Sequence, residues 1–234
     1  MKTIPELLKE IDELYAAGDP QALEARLQEM CREYDEEYPD SFISRSVLYN
    51  ELGSFYRGKA RYEEGEKAFL KAKELIEISG NEEQKTGANY ATTLNNLAGL
   101  YRMWGRYEQS LELFRQAQRI YDTRPDTDYK TLASCHNNIA LLYICLKEAD
   151  KALAELKTAS EMIEGKPGNE YVRSVTLNNT AFALQCAGRP GEAADKMEEA
   201  AEAAKTAPGP ESDLYKACVK YARVFRQQAD SEAG

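Results

Sequence analysis

Three near-copies of one phrase recur along the chain: Leu94-Asn95-Asn96-Leu97-Ala98, His136-Asn137-Asn138-Ile139-Ala140 and Leu177-Asn178-Asn179-Thr180-Ala181. The step is 42 residues from Asn95 to Asn137 and 41 from Asn137 to Asn178. A period of tens of residues constrains the fold more than composition can, because each unit must bury its apolar face against its neighbours. An elongated array of similar units is therefore expected, spanning residues 1–234 as one solenoid.

Within one unit, Leu94, Leu97, Ala98 and Tyr101 stand at i, i+3, i+4 and i+7, the apolar stripe of a helix. Gly105 ends it, and a second amphipathic run follows through Leu111, Phe114, Ala117 and Ile120. The unit is a helical hairpin. The same register places Gly53, Tyr56, Tyr62, Ala68, Phe69 and Ala72 upstream, then Ala140, Tyr143, Ala152, Leu156 and Ala159, and Ala181, Leu184, Ala193, Met197 and Ala200 downstream. Small residues fall where helices approach closely and large ones fill the gaps.

These residues resemble the tetratricopeptide repeat family, whose pattern is met by Ala98, Tyr101, Gly105, Ser110, Phe114 and Ala117. The long spacing, with Leu100-Tyr101 and Gly105-Arg106-Tyr107 after the repeated phrase, is similar to the repeats of kinesin light chains and many bacterial relatives. The resemblance covers residues 46–204. The expected fold is all-α, a right-handed superhelical array of five hairpins plus a terminal capping helix. A degenerate hairpin is expected over 4–34, built on Leu7, Leu8, Ile11 and Leu14, then Leu23, Leu27 and Met30. Repeat hairpins follow over 41–78, 86–122, 129–164 and 171–205, and the cap over 212–229, after the breaker Ala207-Pro208-Gly209-Pro210 and before a frayed tail from Asp230.

Bulk properties narrow the function. The net charge is −10, with twelve acids and four bases in residues 1–40, whereas Leu214 to Ala229 carries Lys216, Lys220, Arg223 and Arg226 and no acid. Binding to nucleic acid is not expected of so acidic a chain. No apolar run reaches membrane-spanning length and the first residues lack a signal core, so no membrane association and a cytoplasmic location are expected. Five cysteines without a CxxC pair fit reduced thiols better than disulfides or a zinc site, and Cys145 and Cys186 read as small apolar fillers.

Catalytic signatures are absent: there is no GxxxxGK[ST], HExxH, GxSxG or GxGxxG. The single histidine, His136, stands on the stripe where Leu94 and Leu177 stand, which makes it a packed, hydrogen-bonded core residue rather than a general base. No catalytic residue, cofactor or metal is expected. The chain reads as a non-enzyme.

Asparagine is a mediocre helix former, so pairs of it inside three helices require another benefit. The resemblance implies that the first helix of each hairpin lines a concave surface, with the asparagines on or beside it. An amide can accept from a peptide N–H and donate to a C=O, reading backbone rather than sequence. Helices about 10 Å apart would offer one amide per roughly three residues of an extended peptide. The candidate peptide-binding residues are Asn50, Asn95, Asn96, Arg102, Asn137, Asn138, Asn178 and Asn179, with Lys216, Lys220 and Arg223 as a basic stripe at one end. Arg57 and Gln185 share the groove register. Two adjacent residues of a helix cannot face one point, so one asparagine of each pair can instead fasten neighbouring helices, and an interhelical ladder is the alternative for the whole set.

The expected function is that of an interaction module gripping an extended peptide, or an acidic protein segment, in its groove. Two alternatives stand beside it. The acidic start and basic end could join head to tail or dock a folded partner, or the chain could act like bacterial peptide-sensing regulators of signalling proteins.

Overall fold

The computed structural model describes residues 2–79 and 87–233, and among them the fold is all-α, with eleven helices and no strand. These are α1 (Ile4–Ala17), α2 (Pro20–Glu37), α3 (Phe42–Gly58), α4 (Tyr62–Ile78), α5 (Ala88–Met103), α6 (Tyr107–Thr123), α7 (Tyr129–Cys145), α8 (Ala149–Ile163), α9 (Glu170–Cys186), α10 (Pro190–Thr206) and α11 (Asp213–Ala233). Contacts divide the chain into two compact units, residues 1–120 and 121–234, where the sequence reading has one solenoid. Each is built of the same hairpins.

The four hairpin turns that follow α3, α5, α7 and α9 are closed in the same way. After α3, α5, α7 and α9, one residue takes the left-handed conformation: Ala60 (φ 56°), Gly105 (φ 80°), Lys147 (φ 61°) and Gly188 (φ 71°). The next N–H then reaches back to a carbonyl five residues earlier, in Arg61 to Tyr56 (3.0 Å), Arg106 to Tyr101 (2.8 Å), Glu148 to Tyr143 (2.9 Å) and Arg189 to Leu184 (3.0 Å). Glycine suits that conformation because it has no Cβ to clash. Helix starts are capped by Asp19, which accepts from the Gln21 and Ala22 N–H groups, and by Asp128, which accepts from those of Lys130 and Thr131.

In the first unit, Leu7 and Ile11 of α1 pack with Leu23, Leu27 and Met30 of α2 and with Leu48, Leu52 and Phe55 of α3. Leu8, expected in that stripe, is 37% exposed. A second cluster joins Phe69 of α4 to Leu97, Leu100 and Tyr101 of α5. Gly53 lets Phe69 in: a Cβ there would stand 2.7 Å from the ring. The turn arginines tie each hairpin to the one before, Arg61 to Glu24 of α2 and Arg106 to Glu66 of α4, each at 2.8 Å.

In the second unit, α9, α10 and α11 share Ala181, Leu184, Ala193, Met197, Ala200, Cys218, Ala222 and Phe225. The many alanines of α10 let both neighbours approach closely. The terminal helix runs to Ala233 instead of fraying from Asp230, because no breaker follows Phe225 and Gln228 donates to Glu232 one turn on (3.0 Å). His136 is buried, its Nδ1 2.6 Å from Glu155 Oε2. Cys145 and Cys186, read as fillers, are exposed, because each ends its helix as the chain turns outward, whereas Cys31, Cys135 and Cys218 are buried.

Candidate functional site

The asparagines divide by register. In the second unit, Asn137 of α7 is buried, and its Nδ2 donates to Ala133 O (3.0 Å) and to Thr176 Oγ1 on α9 (2.8 Å). Its Oδ1 accepts from Asn179 Nδ2 (3.1 Å). Asn50 of α3 repeats the arrangement in the first unit, donating to Ser46 O (3.1 Å) and to Thr93 Oγ1 on α5 (2.7 Å). Both threonines donate onward to the carbonyl one turn back, Thr93 to Asn89 and Thr176 to Val172. Asn50, Asn137 and Asn179 are thus rungs between first helices. A helix turns about 100° per residue, so the member of a pair that points at the neighbouring helix leaves the other pointing elsewhere.

Asn95, Asn96, Asn138 and Asn178 are half-buried. Asn178 Nδ2 lies 3.3 Å from Asn179 Oδ1, and its own Oδ1 takes a contact of 3.8 Å from Cys218 Sγ on α11. Cys218 therefore holds the place on α11 that Thr93 and Thr176 hold on α5 and α9. Those two threonines are the residues that motif reading missed. Each stands two positions before the first residue of an asparagine pair, and the repeat register could have revealed them.

Asn96 differs. It occupies in the first unit the place of Asn179 in the second, yet among the described residues its amide makes no hydrogen bond, and Asn50 Oδ1 is left buried without a donor. On the same side of the first unit, Asn96, Gly99 and Arg102 succeed one another along α5 at one turn's spacing, and Arg57 of α3 stands against Asn96 and Gly99. Arg57 Nη1 lies 3.4 Å from Asn96 O, and a Cβ on Gly99 would stand 3.0 Å from the same nitrogen. Burial lowers the Arg57 guanidinium below its ordinary value, and the like charge of Arg102 lowers it further, while Glu51 and Tyr15 oppose. Burial raises the Glu51 carboxyl, and Asp12 of α1 adds to the rise.

The basic stripe lies elsewhere. Lys216, Lys220 and Arg223 are exposed on the side of α11 opposite Cys218, Ala222 and Phe225, which pack inward. They do not continue the asparagine row, because the apolar residues of α11 fix which side turns to α9. Lys216 meets Glu211 at 3.2 Å, and Arg226 meets Asp195 (2.6 Å) and Glu198 (3.0 Å). Gln185 pairs with Gln228 (2.7 Å). Among the described residues no cluster could hold a metal ion, and no helix is long and apolar enough to cross a membrane.

Fold and face define an all-α array of helical hairpins with polar groups on its first helices. The family model of the tetratricopeptide repeat matches residues 44–123 and 131–206, and the chain belongs to that family. A Podosopora anserina protein of nearly identical TPR-like repeats, assigned to the kinesin light chains, is 16% identical with a TM-score of 0.66, over 88% of this chain and 98% of that one. BtubC (BKLC) from P. vanneervenii is 19% identical with a TM-score of 0.65, over 97% of this chain and 82% of that one. Aspartyl phosphate phosphatase F from Bacillus subtilis is 17% identical with a TM-score of 0.62, over 85% of this chain and 55% of that one. At these identities the likeness is one of fold. No curated protein matches the chain.

Proposed function

We propose that the chain is a non-enzymatic protein–protein interaction module that holds an extended peptide or partner segment against the first helices of its hairpins. Tetratricopeptide arrays are general interaction scaffolds. The observation that carries the finer reading is Asn96, a half-buried amide in the register place of Asn179 that among the described residues makes no hydrogen bond, while Asn50 Oδ1 is left without a donor. An unpaired amide and acceptor on a helix face cost stability in the free protein and become useful when a peptide backbone supplies the complement. Asn50, Asn137 and Asn179 then hold the helices at the spacing the ligand needs. The basic stripe acts outside this face. The internal pairs of Lys216 and Arg226 leave less charge for head-to-tail association. A cytoplasmic setting is supported by cysteines that are all free thiols.

The test is selection from a random dodecapeptide display library, followed by affinity measurement. The reading expects recovered peptides to bind at least tenfold more weakly to Asn96→Ala, with the denaturation midpoint unchanged. Recovery of no peptide would overturn it in favour of a folded partner.

A further inference from the structure

Helix α11 is seated as the first helix of a further hairpin. Its Cys218, Ala222 and Phe225 pack on α9 and α10, and Cys218 stands 42 residues after Thr176. The same step carries Ala181 to Arg223 and Leu184 to Arg226. Ala181 and Leu184 are buried in the cluster they share with Met197 of their hairpin's second helix. Arg223 is exposed, because among the described residues α11 packs only on α9 and α10. A groove of about 670 Å³ is left between α10 and α11, floored by Ala201, Tyr215, Val219 and Ala222, with Glu202 on one wall and Arg223 on the other. Arg226 is held within the chain by Asp195 and Glu198. Neither Glu202 nor Arg223 has an oppositely charged group within 4.0 Å among the described residues. Beside them Val224 is 44% exposed.

The two walls carry opposite signs, and that decides the occupant. A wholly acidic or wholly basic segment gains on one wall and is repelled by the other. A surface that bears both members of an ion pair is complementary to itself: turned about a two-fold axis, it sets each Arg223 against the Glu202 of the other copy. We infer that the α10–α11 face is the interface of a two-fold homodimer. Each α11 lies along the other copy's groove, antiparallel to its counterpart, and covers the apolar floor. A face as long as the 17 residues of α10, about 25 Å, and two helices wide, about 20 Å, offers on the order of 500 Å² per copy. That is the low end for specific pairing, so the dimer is weak and depends on concentration. It uses no residue of the first unit and stands apart from the peptide-binding reading.

Sedimentation velocity over roughly 1–500 μM tests it. The wild type goes from one chain to two and no further. Arg223→Glu and Glu202→Arg each weaken self-association by at least about tenfold, since each sets like charges together twice across the axis. Mixed in equal amounts, the two variants pair with each other, because both contacts across the axis then join opposite charges. A mixture that stays monomeric overturns the inference. Growth beyond two copies, or association that Glu202→Arg leaves intact, overturns it in favour of head-to-tail joining. A wild type that is monomeric throughout overturns it and leaves the groove to a different protein. If either variant denatures at lower urea than the wild type, salt decides on the wild type alone. At about 0.5 M salt, where charges are screened within a few Å, pairing weakens by at least about tenfold, and salt-independent pairing overturns the inference.

Discussion

Replacing Asn137 by alanine tests the interhelical ladder. The side chain makes two bonds to α9, with Thr176 Oγ1 (2.8 Å) and Asn179 Nδ2 (3.1 Å), and one to Ala133 O within α7 (3.0 Å), all in a buried seam. Each interhelical bond contributes about 1 kcal/mol net, and leaving the Asn179 amide without its acceptor adds about 1 kcal/mol. Alanine returns about 0.6 kcal/mol through its better helix propensity. The expected loss is therefore about 2–3 kcal/mol, read from urea denaturation followed by far-ultraviolet circular dichroism. Thr176→Val, which keeps shape and removes the acceptor, should couple to Asn137→Ala by roughly 1 kcal/mol in a double-mutant cycle. Asn96→Ala is the contrast and should stay within about 0.5 kcal/mol of wild type. If Asn137→Ala and Asn96→Ala were equally mild, the seam would not depend on the ladder and the register argument would fall.

Ala60 and Lys147 occupy left-handed turn positions where Gly105 and Gly188 stand in the other hairpins. Changing either to glycine should raise stability by up to about 1 kcal/mol, measured as a shift in denaturation midpoint. Gly53→Ala should do the opposite, costing about 1–3 kcal/mol because its Cβ would meet the Phe69 ring at 2.7 Å, and thermal melting reads that loss. Thiol labelling of the folded protein should modify Cys145 and Cys186 promptly and spare Cys31, whose thiol burial pushes up to about 12. Asp128, held below its ordinary value by bonds from Thr131 and Lys130, stabilises the start of α7 above its unfolded pKa and loses that contribution as pH falls through its folded pKa. Asp128→Ala should therefore cost about 1 kcal/mol at pH 7 and clearly less at pH 3.

Much of the fold is legible in the sequence because hairpin repeats are local: the stripe of Leu94, Leu97, Ala98 and Tyr101, the glycine at 105 and the small residues opposite them depend on near neighbours only. The turns at Ala60 and Lys147 are not legible residue by residue, since neither side chain advertises a left-handed backbone. Only alignment with Gly105 and Gly188 exposes them. The candidate site is harder to read because the direction of a side chain around its helix is set by packing. Asn137 and Asn138 differ by about 100° around α7, and nothing within that helix says which one meets α9. The companion threonines do, and with them the ladder could have been separated from the open face. The basic residues of α11 form a stripe as expected, but the apolar residues Cys218, Ala222 and Phe225 on the same helix already fix that stripe away from α9.

The central claim is that a partner segment lies on the first-helix face of the unit that holds Glu51, Arg57, Asn96 and Arg102. A library-selected peptide carrying a nitroxide spin label, bound to isotopically labelled protein, tests it most directly through paramagnetic broadening of backbone amides. The account predicts broadening concentrated at residues 50–58 of α3 and 92–103 of α5. Broadening confined to the second helices α2 and α4, or to α11, would contradict it.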